Sequence, residues 1–150
     1  DVIEDKSAVP DVEFSRNFMS RIITRGVLMT SGGKVKINDN NFDNTTMHSI
    51  LISDDAKNWY ESGNVNDVEI ARNRFGRVVG YNVQVMPENT VHNGAVHKNI
   101  YIHDNIIESG DEGGFYFKSA DGVRLENNKS GKPVRMEIYN SDVTVDGVKK

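Results

Sequence analysis

One six-residue pattern, apolar-x-apolar-x-x-Asn, returns five times along the chain. It first appears as Val12-Glu13-Phe14-Ser15-Arg16-Asn17. It restarts at Val35, Val68, Ile100 and Val123, with Asn40, Asn73, Asn105 and Asn128 in the last place. A shortened sixth copy reads Val143-Thr144-Val145-Asp146. Two residues beyond the asparagine stand Met19, Phe42, Phe75 and Ile107, whereas the fifth copy has Ser130. In the first four copies a second alternating segment starts 15 positions after the first, at Val27, Ile50, Val83 and Phe115. Period-two alternation predicts strands with one buried face, and no stretch carries a helical period. Two short strands cannot bury a face alone, so the repeats must stack. The expectation is an all-β, single-stranded parallel solenoid of about five coils, forming one domain over 1–150. Residues 1–10 and 131–150 are candidate end caps. The repeated asparagine suits a tight corner, because it tolerates left-handed backbone angles and bonds to backbone. Stacked in phase, such asparagines can also bond one another as a ladder.

The repeat length is uneven. Copies one to two and four to five are 23 residues apart, but copies two to three and three to four are 33 and 32 apart. Because the 15-residue offset holds, the extra residues fall after the second strand, at 55–64 and 87–97. Coils stack about one strand spacing apart, ~4.8 Å, so both excursions should leave the same sheet edge side by side. Insertions of that kind often form the binding face of a repeat protein. The first excursion brings Asp54, Asp55, Trp59, Tyr60 and Glu61; the second brings Glu88, Asn89, His92 and His97. Alternation sets Thr30, Ser53, Gln84, Tyr116 and Lys118 on the outward face beside them. Acids, amides and aromatic rings together suit a carbohydrate: rings take its apolar C–H faces, while carboxylates and amides bind its hydroxyls.

The bulk numbers narrow the classes. The chain has 150 residues, no cysteine, 37% hydrophobic residues and a formal net charge of −4. Disulfides and thiolate metal sites are thereby excluded. No basic excess points to nucleic acid, and no apolar run approaches the ~20 residues of a membrane span. Asp1-Val2-Ile3-Glu4-Asp5 does not read as a signal peptide. The histidine spacings match no zinc signature, so no metal or other cofactor is expected. His48 and His103 read as structural residues of strands or corners.

Glycoside hydrolysis generally uses two carboxyl groups, one protonating the leaving oxygen and one activating water or attacking directly. Asp54 and Asp55 are the first candidates, with Glu61 and Glu88 as further partners. Neighbours in an extended backbone point to opposite faces, so both acids reach one pocket only if the strand bends at Asp54.

The coil pattern resembles right-handed parallel β-helix proteins. The run 50–63, with Asp54-Asp55, then Trp59-Tyr60 and Glu61-Ser62-Gly63, followed by Asn73-Arg74-Phe75, looks like glycoside hydrolase family 110. Arg25-Gly26-Val27-Leu28-Met29-Thr30 is similar as well. The resemblance implies an exo-acting, inverting, metal-independent α-1,3-galactosidase taking galactose-terminated glycans. It implies secreted or periplasmic location and carries over Asp54 and Asp55 as the catalytic acids. It also implies Trp59 and Glu61 as pocket residues, and Tyr60, Glu88, Gln84 and His92, from the excursions and the outward strand face, are expected to contact substrate beside them. Two other classes fit the same residues. One is a calcium-dependent polysaccharide lyase, in which Asp54, Asp55 and Glu88 would hold the ion. The other is a non-catalytic solenoid scaffold or sugar-binding module, and an uncapped solenoid of either kind would associate end to end.

Overall fold

A computed structural model describes residues 6–55, 63–109 and 112–150. After a short 3-10 turn, Lys6–Ala8, the chain runs through strands in threes. The first three are β1 (Val12–Ser15), β2 (Phe18–Ile22) and β3 (Val27–Met29). Then come β4 (Val35–Asn38), β5 (Asn41–Thr45) and β6 (Ile50–Ile52). The next are β7 (Asn66–Ala71), β8 (Arg74–Phe75) and β9 (Val83–Val85), followed by β10 (His97–His103), β11 (Ile106–Ile107) and β12 (Phe115–Lys118). The chain finishes with β13 (Ala120–Glu126), β14 (Lys129–Ser130), β15 (Met136–Tyr139), β16 (Val143–Val145) and β17 (Val148–Lys149).

Three sheets result, and each strand of a trio joins a different one. Sheet A is ordered β1-β4-β7-β10-β13-β16-β17, sheet B β14-β11-β8-β5-β2, and sheet C β15-β12-β9-β6-β3. Among the described residues every pairing between successive trios is parallel, and only β16–β17 is antiparallel. The molecule is thus all-β with stacked parallel sheets, as a β-solenoid requires. The sequence predicts two strands per repeat, but there are three. The missed strand, sheet B, is only two residues long in three of its five members, too short to show a period.

The register aligns like residues. Val35, Val68, Ile100 and Val123 form one inward column of sheet A, and Ile37, Ile70, Ile102 and Leu125 the next. Sheet C contributes Ile50, Val83 and Phe115, then Ile52, Val85 and Phe117. These side chains are at most 2% exposed. Phe42 and Phe75, fully buried, stack across sheet B with centroids 5.2 Å apart. Ser130, paired with Ile107, is exposed, so the core narrows at that end.

The repeated asparagines bond in series. Nδ2 of Asn17 donates to Oδ1 of Asn40 at 3.0 Å, Asn40 to Asn73 at 3.0 Å, Asn73 to Asn105 at 3.0 Å and Asn105 to Asn128 at 2.8 Å. Each acceptor Oδ1 also takes the backbone N–H of its neighbour, at 2.8–3.2 Å. Left-handed backbone was expected at the asparagine itself. It lies one residue earlier, at Arg16, Asp39, Arg72, Asp104 and Asn127, with φ between 53° and 60°. The asparagine comes after the corner, which leaves its amide aimed along the stack.

The ends differ. Sheets C and A continue through β15 and β16, and then Asp146 and Gly147, both at positive φ, turn β17 back on β16. A two-residue Asp-Gly loop with Val145 opposite Val148 is the hairpin arrangement that such residues favour. In sheet A, β17 takes the place beside β16 where a further parallel strand would pair. Gly114 marks a second tight point. Its φ is +111°, and a Cβ there would collide with the Arg135 carbonyl. Gly114→Ala is expected to cost about 2 kcal/mol, read as a lower denaturation midpoint.

Candidate functional site

The two excursions start as neighbours because strand pairing outlasts the strands. β6 and β9 pair from Ile50–Val83 to Ile52–Val85. Beyond them Met86 N–H donates to Ile52 O at 2.9 Å, and Glu88 N–H donates to Asp54 O at 3.0 Å. Ser53 Oγ also reaches Met86 O at 2.9 Å. The main chain at Asp54 therefore lies against the main chain at Glu88. Asp54 is half-buried, Asp55 is 7% exposed, and Glu88 is exposed. Trp59, Tyr60 and Glu61 lie outside the described residues.

The second excursion is tied down from the next strand of sheet C. Lys118 Nζ donates to Pro87 O at 3.1 Å and to Asn89 O at 2.8 Å. Asn89 Nδ2 donates to Ser119 Oγ at 3.1 Å, His92 Nδ1 lies 3.0 Å from the same oxygen, and Val96 N–H meets Ser119 O at 2.7 Å. Lys118 thus anchors the loop. His92, expected at the substrate, lies against Ser119. Lys118→Ala is expected to expose the Pro87–Asn89 backbone, with markedly faster amide exchange at Glu88 and Asn89 and less than about 1.5 kcal/mol of lost stability.

Gln84 sits on the outward face as expected, yet it is only 6% exposed, and its Nε2 lies 2.9 Å from Met86 Sδ. Beside it in register are Leu51 and Tyr116. His97 departs most from expectation. It is not part of the loop but the first residue of β10, fully buried. Its Nδ1 accepts Val65 N–H at 3.1 Å, while its buried Nε2 finds no hydrogen-bond partner among the described residues. Protonation would charge a buried ring and break the Val65 bond, and burial pushes its pKa down to about 4. The unfolded chain binds that proton near pH 6.5 and the folded chain does not. Stability should therefore be full above pH 6.5, fall by roughly 3 kcal/mol on descending to pH 4, and level off below. Denaturation midpoints across that range, compared with His97→Asn, check this.

Sequence reasoning missed an aromatic array on the outer face of sheet C. Tyr81, Tyr116 and Tyr139 follow one another with centroids 5.3 and 5.4 Å apart. Glu137 accepts both Tyr81 OH at 2.6 Å and Tyr139 OH at 3.2 Å. Arg135 lies over the Tyr81 ring, 4.0 Å from its centroid. Burial, then the Glu137 bond, raises the Tyr81 phenol to about 12, while the Tyr81 bond holds the Glu137 carboxyl below its usual range. The missed signal was register. In the fifth copy the sheet C strand starts two residues sooner after its sheet A strand, so Met136, not a residue at offset 15, pairs with Phe115. A groove of about 650 Å³ lies apart from all this, on the outer face of sheet A, lined by Lys34, Lys36, Glu69, Tyr101 and Arg124 among others. Among the described residues no three His, Asp, Glu or Cys side chains gather as a metal site. None of the described helices is long and apolar enough to cross a membrane.

Two adjacent acids where β6 ends and three tyrosines on the outer face of the same sheet make up the candidate site. No family model matches the chain. An alpha-1,3-galactosidase A of Bacteroides thetaiotaomicron is 36% identical over 129 residues, covering 85% of this chain and 23% of that protein. One from Streptomyces avermitilis is 40% identical over 129 residues, covering 85% and 21%. An alpha-1,3-galactosidase B of Bacteroides fragilis is 31% identical over 140 residues, covering 84% and 24%. Over most of its length the chain resembles the alpha-1,3-galactosidases. It spans less than a quarter of the length of these relatives.

Proposed function

We propose that this chain carries the catalytic edge of an exo-acting, inverting glycoside hydrolase for terminal α-1,3-linked galactose. The observation that carries the reading is the Glu88 N–H to Asp54 O bond of 3.0 Å, which holds the start of both excursions together. The names of the relatives supply the bond and the sugar. Asp54 and Asp55 are the two carboxyl groups. One gives its proton to the glycosidic oxygen as the bond to the anomeric carbon breaks. The other takes a proton from water as that water attacks the opposite face. Inversion needs a gap of ~6.5–9.5 Å between them for the water. Gln84 and Glu88, with Trp59, Tyr60 and Glu61, bind hydroxyls and ring faces, and His92 joins them on leaving Ser119.

The scaffold in this proposal is one right-handed parallel β-helix domain of about five coils. Parallel crossovers are right-handed in ~98% of cases. The asparagine ladder holds the corner, and Asp146-Gly147 begins a cap. End-to-end association is expected to run through the β1-β2-β3 edge, beside which Phe18, facing outward from sheet B opposite Asn41, is 70% exposed. Light scattering that rises with concentration, and falls in Phe18→Lys, tests this. Secretion or a periplasmic location goes with the same reading.

The function is tested by incubating the folded chain with an α-1,3-linked galactose disaccharide and following the anomeric protons by NMR. β-Galactose should appear first. A folded chain that binds galactose and releases none is a sugar-binding module, and one that releases unsaturated uronic products with calcium is a lyase. Either result overturns the hydrolase.

A further inference from the structure

We propose that Tyr139 and Tyr116, with Glu137 and Arg135 at their edge, form a subsite for the sugars on the leaving-group side of the galactose. The proposal rests on the galactoside reading and deepens it: the favoured substrate is a glycan of four or more sugars.

Register leads from the candidate acids to this array. Leu51, just before Ser53 and Asp54, pairs with Gln84; Gln84 pairs with Tyr116; Tyr116 pairs with Glu137. In the next outward column Lys118 pairs with Tyr139. Each step is one strand spacing, ~4.8 Å, close to the length of one pyranose. A glycan lying across the strands with its terminal galactose near Asp54 would bring its third ring over Tyr116, two strands away, and its fourth over Tyr139, three strands away.

The chemistry fits a sugar. Tyr139 is 49% exposed, and Tyr116 lies against it with rings tilted by 37°. Tyr139 therefore keeps ring surface open for C–H contact. Glu137 fixes two phenols and lies 3.8 Å from Arg135. The rings are thus set before any ligand arrives, which removes part of the ordering cost of binding. The charged edge offers donors and acceptors to hydroxyls. The aromatic array on sheet A makes a useful contrast. There Tyr101 has His103 stacked at 4.1 Å and Arg124 at 4.3 Å, so little of its ring is open to a sugar.

The test is an NMR titration of the whole chain with galactose and with a thio-linked tetrasaccharide ending in α-1,3-galactose, which resists hydrolysis. Galactose should shift the amides of Ser53, Gln84 and Glu88 alone. The tetrasaccharide should shift these and the ring protons of Tyr116 and Tyr139, and bind at least 10-fold more tightly. Tyr139→Ala should remove that gain and leave galactose affinity unchanged. Tyr139→Phe, which keeps the ring and loses the Glu137 bond, should retain most of it, separating ring contact from loss of fold. If the tetrasaccharide binds no better than galactose, or Tyr139→Ala binds it as well as wild type, the subsite is overturned and the galactoside reading stands. If neither sugar shifts any residue, the galactoside reading falls and the subsite with it.

Discussion

Asn73→Ala should destabilise the chain by about 4 kcal/mol, visible as a lower urea midpoint with an unchanged slope. Asn73 is 1% exposed and stands mid-series. Its Nδ2 donates to Asn105 Oδ1 at 3.0 Å and to Ile37 O at 2.7 Å. Its Oδ1 accepts Asn40 N–H at 2.9 Å and Asn40 Nδ2 at 3.0 Å. Alanine removes all four bonds and strands the Asn40 N–H and the Ile37 carbonyl where water does not reach. Each stranded group costs ~1–3 kcal/mol, more than an ordinary hydrogen bond contributes. Asn17→Ala is the control. It loses one Nδ2 donor that serves Asn40 and Ser15, at a half-buried edge. About 1 kcal/mol is expected there. Equal costs at the two sites would mean that the asparagines act one by one as turn residues.

Asp54→Asn and Asp55→Asn should each lower galactose release by about 10³-fold or more, roughly 4 kcal/mol of transition-state stabilisation. An amide neither gives up a proton to the leaving oxygen nor takes one from water. The two variants should separate by leaving group. Loss of the general acid is partly rescued by a good leaving group such as nitrophenol, which needs no proton. Loss of the base is not rescued. The measurement is kcat/KM on disaccharide and on nitrophenyl galactoside, with folding checked by circular dichroism. If both variants keep wild-type rates on both substrates, the assignment of these acids is wrong.

Much of the fold was legible because a solenoid writes its period into the chain. The offset of 15 residues located sheet C in four copies, and the asparagine phase located the corner. Sheet B escaped because β8, β11 and β14 are two residues each. The left-handed residue was misplaced by one, because asparagine is a good residue for both tasks. Arg16 and Arg72 hold positive φ without any local sequence sign. His97 read as loop because the rule used to bound the excursion ended there, whereas strand β10 begins three residues before its repeat motif.

The candidate site divides in the same way. Both excursions and their acids could be counted along the chain, since an inserted length must leave a stack somewhere. Which strand neighbours clasp them could not. Lys118 on Pro87 and Asn89 joins residues about thirty positions apart, and Tyr81 on Glu137 joins residues 56 apart.

The sequence by itself determined the stacked all-β character, the asparagine corner and the level at which the two excursions emerge. Those depend on residue type at fixed spacing, and spacing is written in one dimension. Tertiary structure decided the third sheet, the buried neutral His97, the Lys118 clasp and the tyrosine array. The third sheet and His97 depend on where short strands begin and pair, and the clasp and the array on which outward side chains share a face after a change of repeat length. A shift of two residues in the fifth copy moves Glu137 and Tyr139 beside Tyr116 and Lys118, and only the register of the folded sheet records it.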